Sequence, residues 1–266
     1  MRSYELFTFA FFAFFVVAAW GTPLRTGPRV RATCIGALGM LVVVLLPELG
    51  GSHGGALLRN LAPAGLLLVG YWQTGQFMVG ADPRFQARLE RFDRRWSSWV
   101  SHLRGAAERV PILAAYLELS YFACYPVVPL GVLVLHLGGR TDLVESFWLV
   151  VLPATFATHA LTTVFQSNPP WMADGGRPSR TLGHLRSMNR WITDHASIRV
   201  NSFPSGHVAS ALAVALVLLG EIPVAGVLFL CIAGSIGLSS LVLAYHYLAD
   251  VTLGAGLAVL SWLVLG

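Results

Sequence analysis

Residues 202–219 read SFPSGHVASALAVALVLL. A polar, turn-forming hexapeptide runs straight into an apolar stretch that contains no charged residue. Pro204 suits the first turn of a helix, where its missing N–H costs nothing, and Ser202 is the expected cap. The apolar run from 204 to 219 is too continuous for a surface helix of a soluble protein and reads as a membrane segment. The same texture recurs outward in both directions. Apolar segments are expected at about 4–20, 34–49, 57–79, 111–137, 143–166, 204–219, 222–244 and 251–265. The fold class that follows is all-α: a polytopic transmembrane bundle of about eight segments, six of them expected to form its core. Residues 1–56 would contribute the N-terminal segments and residues 57–266 the rest. The first segment could also be a leader, because Arg2 precedes an apolar run that ends near Ala18 and Ala19.

Composition agrees. Of 266 residues, 55% are hydrophobic and 12% charged, with a mean hydropathy of +0.65. A soluble domain carries about 25% charge. All 18 basic residues are arginine, so any cationic phosphate clamp must use the planar guanidinium fork. The net charge of +5 does not indicate a nucleic-acid partner, since the arginines sit between apolar spans, where they mark topology and anionic headgroups. Cys34, Cys124 and Cys231 lie within apolar segments, in no zinc or disulfide spacing. The expected partners are the bilayer and a lipid phosphate; no metal or other cofactor is expected, and oligomeric state is left open.

Two stretches interrupt the pattern. Residues 81–110 carry seven arginines, interleaved with Phe85, Leu89, Phe92, Trp96, Trp99 and Leu103 at spacings of three and four. That periodicity predicts one amphipathic helix lying in the membrane interface, with a solvated connector as the alternative. Residues 167–203 form a polar loop rich in Pro, Gly, Arg and Asn, and a loop this long in a compact domain is usually functional.

Chemistry concentrates at two places. At 202–207, the first-turn N–H groups with Ser205 and Gly206 make an anion site, and Gly206 permits close backbone approach. His207 would stand there able to pass a proton. At 245–250 the sequence is YHYLAD. On a helix, His246 and Asp250 are four apart and face the same way. A carboxylate holding one ring nitrogen leaves the other free as a nucleophile. Two membrane crossings separate the clusters, so both should emerge on one side and share a pocket.

At these residues the chain resembles the type 2 phosphatidic acid phosphatase superfamily, which also includes vanadium haloperoxidases and sphingolipid phosphotransferases. The family's Pro-Ser-Gly-His motif stands at Pro204 to His207, and its closing His-x-x-x-Asp at His246 to Asp250. The resemblance spans roughly residues 110–266. It implies that His246 is the nucleophile forming a phosphohistidine and that Asp250 orients it. His207 would then act as general acid and base, while Ser205 and Gly206 hold the phosphoryl oxygens. Two family cations are missing. The Arg-Pro of the first motif is present as Arg177-Pro178, but its lysine position is Pro170; the arginine before the last motif is Ser240. Loss of the latter is shared with the inositol-phosphorylceramide and sphingomyelin synthase branch, and Asn168-Pro169-Pro170-Trp171 resembles a stretch of that branch. Arg177 and Arg199, with Arg180 and Arg190, are the candidates to supply charge instead.

The expected activity is phosphatase action on a lipid phosphate or isoprenyl (di)phosphate. Phosphotransfer between lipids is the alternative, and a non-catalytic lipid-binding protein the alternative from another class. The expected location is a bacterial inner (plasma) membrane. The side is contested. If every segment crosses, the loops at 21–33, 81–110 and 167–203 share a side and hold fifteen of the eighteen arginines. The positive-inside rule puts that side in the cytosol, whereas the resemblance implies an extracytoplasmic site.

Overall fold

The computed structural model describes residues 1–173, 184–198 and 202–266. It is all-helical among the described residues: α1 (Ser3–Gly21), α2 (Thr26–Leu45), α3 (His53–Thr74), α4 (Pro83–Trp96), α5 (Ser98–Arg109), α6 (Pro111–Phe122), α7 (Val127–Leu137), α8 (Val144–Val164), α9 (Pro170–Ala173), α10 (His184–His195), α11 (Gly206–Glu221), α12 (Pro223–Val242) and α13 (Leu248–Leu265).

The helix α8 is the hub. It is apolar on nearly every face, as a helix buried all round must be. Phe147, Trp148, Val150, Val151 and Leu152 are fully enclosed, and α8 packs against α11, α13, α3 and α1. The helix α11, equally enclosed, alternates alanine with valine and leucine, and Ala209, Ala211, Ala213 and Ala215 are all at 0% exposure. Small side chains let neighbouring backbones approach, which is how helices associate where no hydrophobic effect drives them together. The outer faces are the reverse: Phe14, Val17, Leu41, Leu68, Val227, Leu228 and Leu263 are exposed. A surface this apolar suits lipid, not water, and the protein is an integral membrane protein.

All eight expected segments are helical, but they are unequal. Five helices are long and apolar enough to cross a bilayer among the described residues: α1, α2, α8, α12 and α13; the α6–α7 pair makes a sixth if counted as one. The pair is bent by 72° where one span was expected. Pro126, which has no N–H to donate, ends α6 through a turn and restarts the chain at a new angle. The helix α11 has only 16 residues. The helix α3 has 22 residues but is too polar, and its polar groups are satisfied within the protein, as a low-dielectric surrounding demands. Arg59 grips the fully buried Glu5 through two hydrogen bonds of 2.8 and 3.0 Å. Asn60 accepts from Arg2 at 2.6 Å and, through its backbone carbonyl, from Trp148 Nε1 at 2.9 Å. The amide of Gln73 donates to the carbonyls of Phe12 and Ala32. These bonds tie α1 and α2 to α3 and α8.

The arginine-rich stretch also departs from expectation. It forms two helices, not one. Ser97 breaks it with φ −115° and ψ 21°, and its hydroxyl takes the carbonyl of Asp93, a backbonding habit of serine that competes with helix continuation. Arg84, Arg88, Arg91, Arg94 and Arg95 point outward, with Trp96 and Trp99 exposed beside them, while Leu89 and Val100 are buried.

Candidate functional site

The helix α11 begins two residues later than its proline suggests. Ser205, not Ser202, is the cap: its Oγ accepts from Val208 N at 3.4 Å. Pro204 lies before the cap. The helix therefore opens on Gly206 and His207, whose N–H groups have no i−4 carbonyl to bond and form no hydrogen bond among the described residues. Free N–H groups at a helix start are the kind of donors an anion site uses. Ser202 is instead a strut of the loop. It donates its N–H to Ser167 O at 3.2 Å, and the two hydroxyls meet at 2.8 Å.

His246 and Asp250 meet by a route other than helical spacing. His246 precedes α13, whose first residue is Leu248. The chain reaches it through the end of α12. Ala244 adopts a left-handed conformation, φ 62°; Tyr245 N donates to Ser240 O at 2.9 Å and Ala244 N to Leu241 O at 3.1 Å. That is a Schellman closure with alanine where glycine is usual. His246 N also donates to Ser240 O, at 3.1 Å. So Ser240, at the position of a missing family arginine, serves through its carbonyl, while its hydroxyl stays in its own helix on Ile236 O.

Asp250 is completely buried in the first turn of α13. Its Oδ2 accepts Tyr247 N at 2.8 Å and lies 3.3 Å from His246 Nδ1. The closer partner of Nδ1 is the carbonyl of Ser202, at 2.7 Å. Both neighbours are acceptors, so Nδ1 carries the proton and Nε2 keeps its lone pair. Ser202 thus joins the site through its backbone, a role invisible in sequence because any residue has a carbonyl.

The two clusters are joined directly. Ser205 N donates to Asp250 O at 3.0 Å, and α13 passes so close to the start of α11 that a Cβ on Gly254 would sit 2.4 Å from Ser205 O. The rings of His207 and His246 are 5.9 Å apart and nearly perpendicular. Tyr121 and Tyr125 pack edge-on against His207, and Tyr121 stacks on Tyr245 at 4.0 Å. Both histidines line a cavity of about 900 Å³. Its walls are Leu67 and Tyr71 of α3, the bend between α6 and α7, and Thr158 and His159 of α8; Trp171, Ile192 and Ile198 line it from the polar stretch. Tyr71 Oη accepts Ile198 N at 2.7 Å and Trp72 Nε1 donates to Ala196 O at 3.0 Å, which ties residues 196–198 to α3.

No arginine side chain lines the cavity among the described residues. Arg177, Arg180 and Arg199 lie outside the described residues, as does the side chain of Arg190 in α10. Pro170 starts the short helix α9, and the next residue, Trp171, donates its N–H to Ala244 O at 3.1 Å. Ser205, Gly206, His207, His246 and Asp250 are brought together; the arginine part of the expected set is not described. Among the described residues no group of His, Cys, Asp and Glu is arranged to hold a metal ion.

The helix α4 supports the second cluster from behind. Asp93 Oδ1 accepts Leu248 N at 2.7 Å, at the first turn of α13. Gln86 Nε2 donates to Tyr247 Oη at 2.7 Å, and its Oε1 accepts Asn168 N at 2.9 Å. Burial raises the Asp93 carboxyl above the ordinary carboxylate range; the Leu248 N–H opposes this and the nearby Asp250 charge adds to it. Asp93 therefore acts as a distant cap. Asp93→Ala should cost about 1 kcal/mol of stability, measured by thermal unfolding in detergent. Asp93→Asn, which keeps an acceptor oxygen, should lose less; equal loss in both would show that the cap bond is not the cause.

The fold and the site define an all-helical membrane bundle that brings two histidines to the open start of one helix, in one cavity. A family model described as the PAP2 superfamily matches residues 87–264, and the chain belongs to that superfamily, the type 2 phosphatidic acid phosphatases. Membership supports a phosphatase-like function. Neither a curated protein nor a solved structure matches the chain.

Proposed function

We propose that the protein hydrolyses a lipid phosphate or isoprenyl (di)phosphate through a phosphohistidine on His246. The observation that carries this reading is the state of the His246 ring. Nδ1–H is held by Ser202 O and Asp250, and the ring lines the same cavity as His207. Nε2 attacks phosphorus, the P–O bond to the lipid breaks, and His207 delivers a proton to the departing oxygen. In the second half, His207 takes a proton from water as its oxygen attacks phosphorus. The N–P bond breaks and phosphate leaves. Ser205 holds the start of α11, so that the N–H groups of Gly206 and His207 meet the charge that builds on the phosphoryl oxygens. The cavity suits the substrate class, because its apolar wall at Leu67, Leu68 and Val128 adjoins the imidazoles.

Transfer to a second lipid is the other reading. It is favoured by Pro170 and Ser240, which stand where the family's cations would. Purified protein given phosphatidic acid or isoprenyl diphosphate should release inorganic phosphate without an added alcohol. If it forms product only when a lipid alcohol is present, transfer replaces hydrolysis. Folded protein that turns over no phosphorylated lipid in either format removes both.

A further inference from the structure

We infer that His159, on α8, is a third phosphate-binding imidazole that donates Nε2–H to a phosphoryl oxygen at the start of α11. The inference rests on the reading of the cavity as a phosphoryl-transfer site and deepens it. Neither the Pro-Ser-Gly-His nor the His-x-x-x-Asp cluster includes this residue, and its sequence surroundings, Thr158-His159-Ala160, look like ordinary membrane helix.

Three observations converge on it. First, position: His159 lines the same cavity as His207 and His246. A Cβ built on Gly206 would lie 3.8 Å from His159 Nε2 and 3.0 Å from Thr158 Oγ1. The α8 wall thus stands against the very residue whose free N–H opens the anion site, and a side chain at 206 would fill the gap between them. Second, tautomer: His159 Nδ1 is buried with no hydrogen-bond partner among the described residues. A proton there would be an orphaned donor, which is rarer in folded proteins than an unsatisfied acceptor. The ring therefore carries its hydrogen on Nε2, the edge that meets the cavity. Third, rigidity: Tyr71 and Phe156 pack against the ring at 5.6 and 5.9 Å between centroids, so the donor is aimed before any substrate arrives. The threonines of this wall do not compete for the role. Thr155, Thr158 and Thr162 spend their hydroxyls on carbonyls of α8 itself.

Such a donor takes on part of the work of the missing family cations. Prearranged hydrogen bonds in a water-poor site stabilise developing charge strongly, and a neutral imidazole does so without burying a permanent charge among membrane helices.

The test uses His159→Phe, which keeps a flat ring between Tyr71 and Phe156 but lacks the N–H, and His159→Gln, which restores an N–H donor. Orthovanadate, a tetrahedral phosphate analogue, serves as the binding probe. His159→Phe should lower kcat/KM about 100-fold and weaken inhibition by orthovanadate about 10-fold, and His159→Gln should recover most of both. If His159→Phe stays within about threefold of wild type, or both variants fall equally, the inference is overturned. Should the Phe variant fail to fold, the ¹⁵N resonance of His159 Nε2 in wild-type protein decides: it shifts on adding orthovanadate, or the inference fails. His246→Ala runs alongside. If that variant retains activity, the phosphohistidine reading fails; if it is inactive while His159→Phe is not, only the present inference does.

Discussion

His246→Ala should abolish turnover, by about 10⁴-fold or more in kcat, with the fold intact. The ring is 7% exposed and bonds only through Nδ1 among the described residues, so its removal costs packing but leaves the backbone bond from His246 N to Ser240 O in place. The loss should therefore appear in chemistry more than in stability. Wild-type protein quenched during turnover of a ³²P-labelled lipid phosphate should carry label that is labile to acid and stable to base, as an N–P bond requires, and the alanine variant should carry none. Turnover by purified His246→Ala at near wild-type rate would remove the phosphohistidine step altogether. An inactive alanine variant together with no trapped label in the wild type would instead point to water attacking phosphorus directly, with Nε2 as its base.

Gly254→Ala should damage the site from a distance. The added methyl would lie 2.4 Å from Ser205 O and 3.3 Å from Ser205 C. Both are backbone atoms, which cannot rotate away. The first turns of α11 and α13 must separate, and the Ser205 N to Asp250 O bond of 3.0 Å lengthens or breaks. A displacement approaching 1 Å between groups that act on one phosphorus costs on the order of 100-fold in rate, and overpacking of this kind costs about 1–3 kcal/mol in stability. Gly256→Ala is the matched control. It lies on the same helix with nothing within 4 Å of the added carbon, so it should leave activity unchanged and, alanine being the better helix former, stabilise by about 0.5 kcal/mol or more. If the two variants behave alike, contact between the helix starts does not hold the imidazoles together.

Helices α1, α2, α8, α12 and α13 were legible because a bilayer imposes length and apolarity on each segment separately, with no need to know its neighbours. The same logic does not explain how α3 carries Arg59, Asn60 and Gln73, which are answered by Glu5, Trp148, Phe12 and Ala32, residues 41 to 88 positions away. It also missed the break at Pro126, because an apolar run hides a change of direction. In the site, Pro-Ser-Gly-His and His-x-x-x-Asp stood out as residue types at fixed spacing. The spacing argument for His246 and Asp250 assumed a helix, yet the pair meets across a helix start, where Asp250 turns back to the Tyr247 N–H. His159 and the Ser202 carbonyl carry no local signal. One is a lone histidine in a span, the other a backbone atom.

By itself, then, the sequence determined that the chain is a membrane bundle and which residue types could handle a phosphate, because hydropathy and side-chain chemistry are properties of each segment alone. Which groups share one cavity was decided only by the tertiary structure. Proximity between α8, α11 and α13 depends on small residues such as Gly254 and on backbone bonds such as Ser205 to Asp250, and packing between distant segments leaves no periodic mark on any one of them.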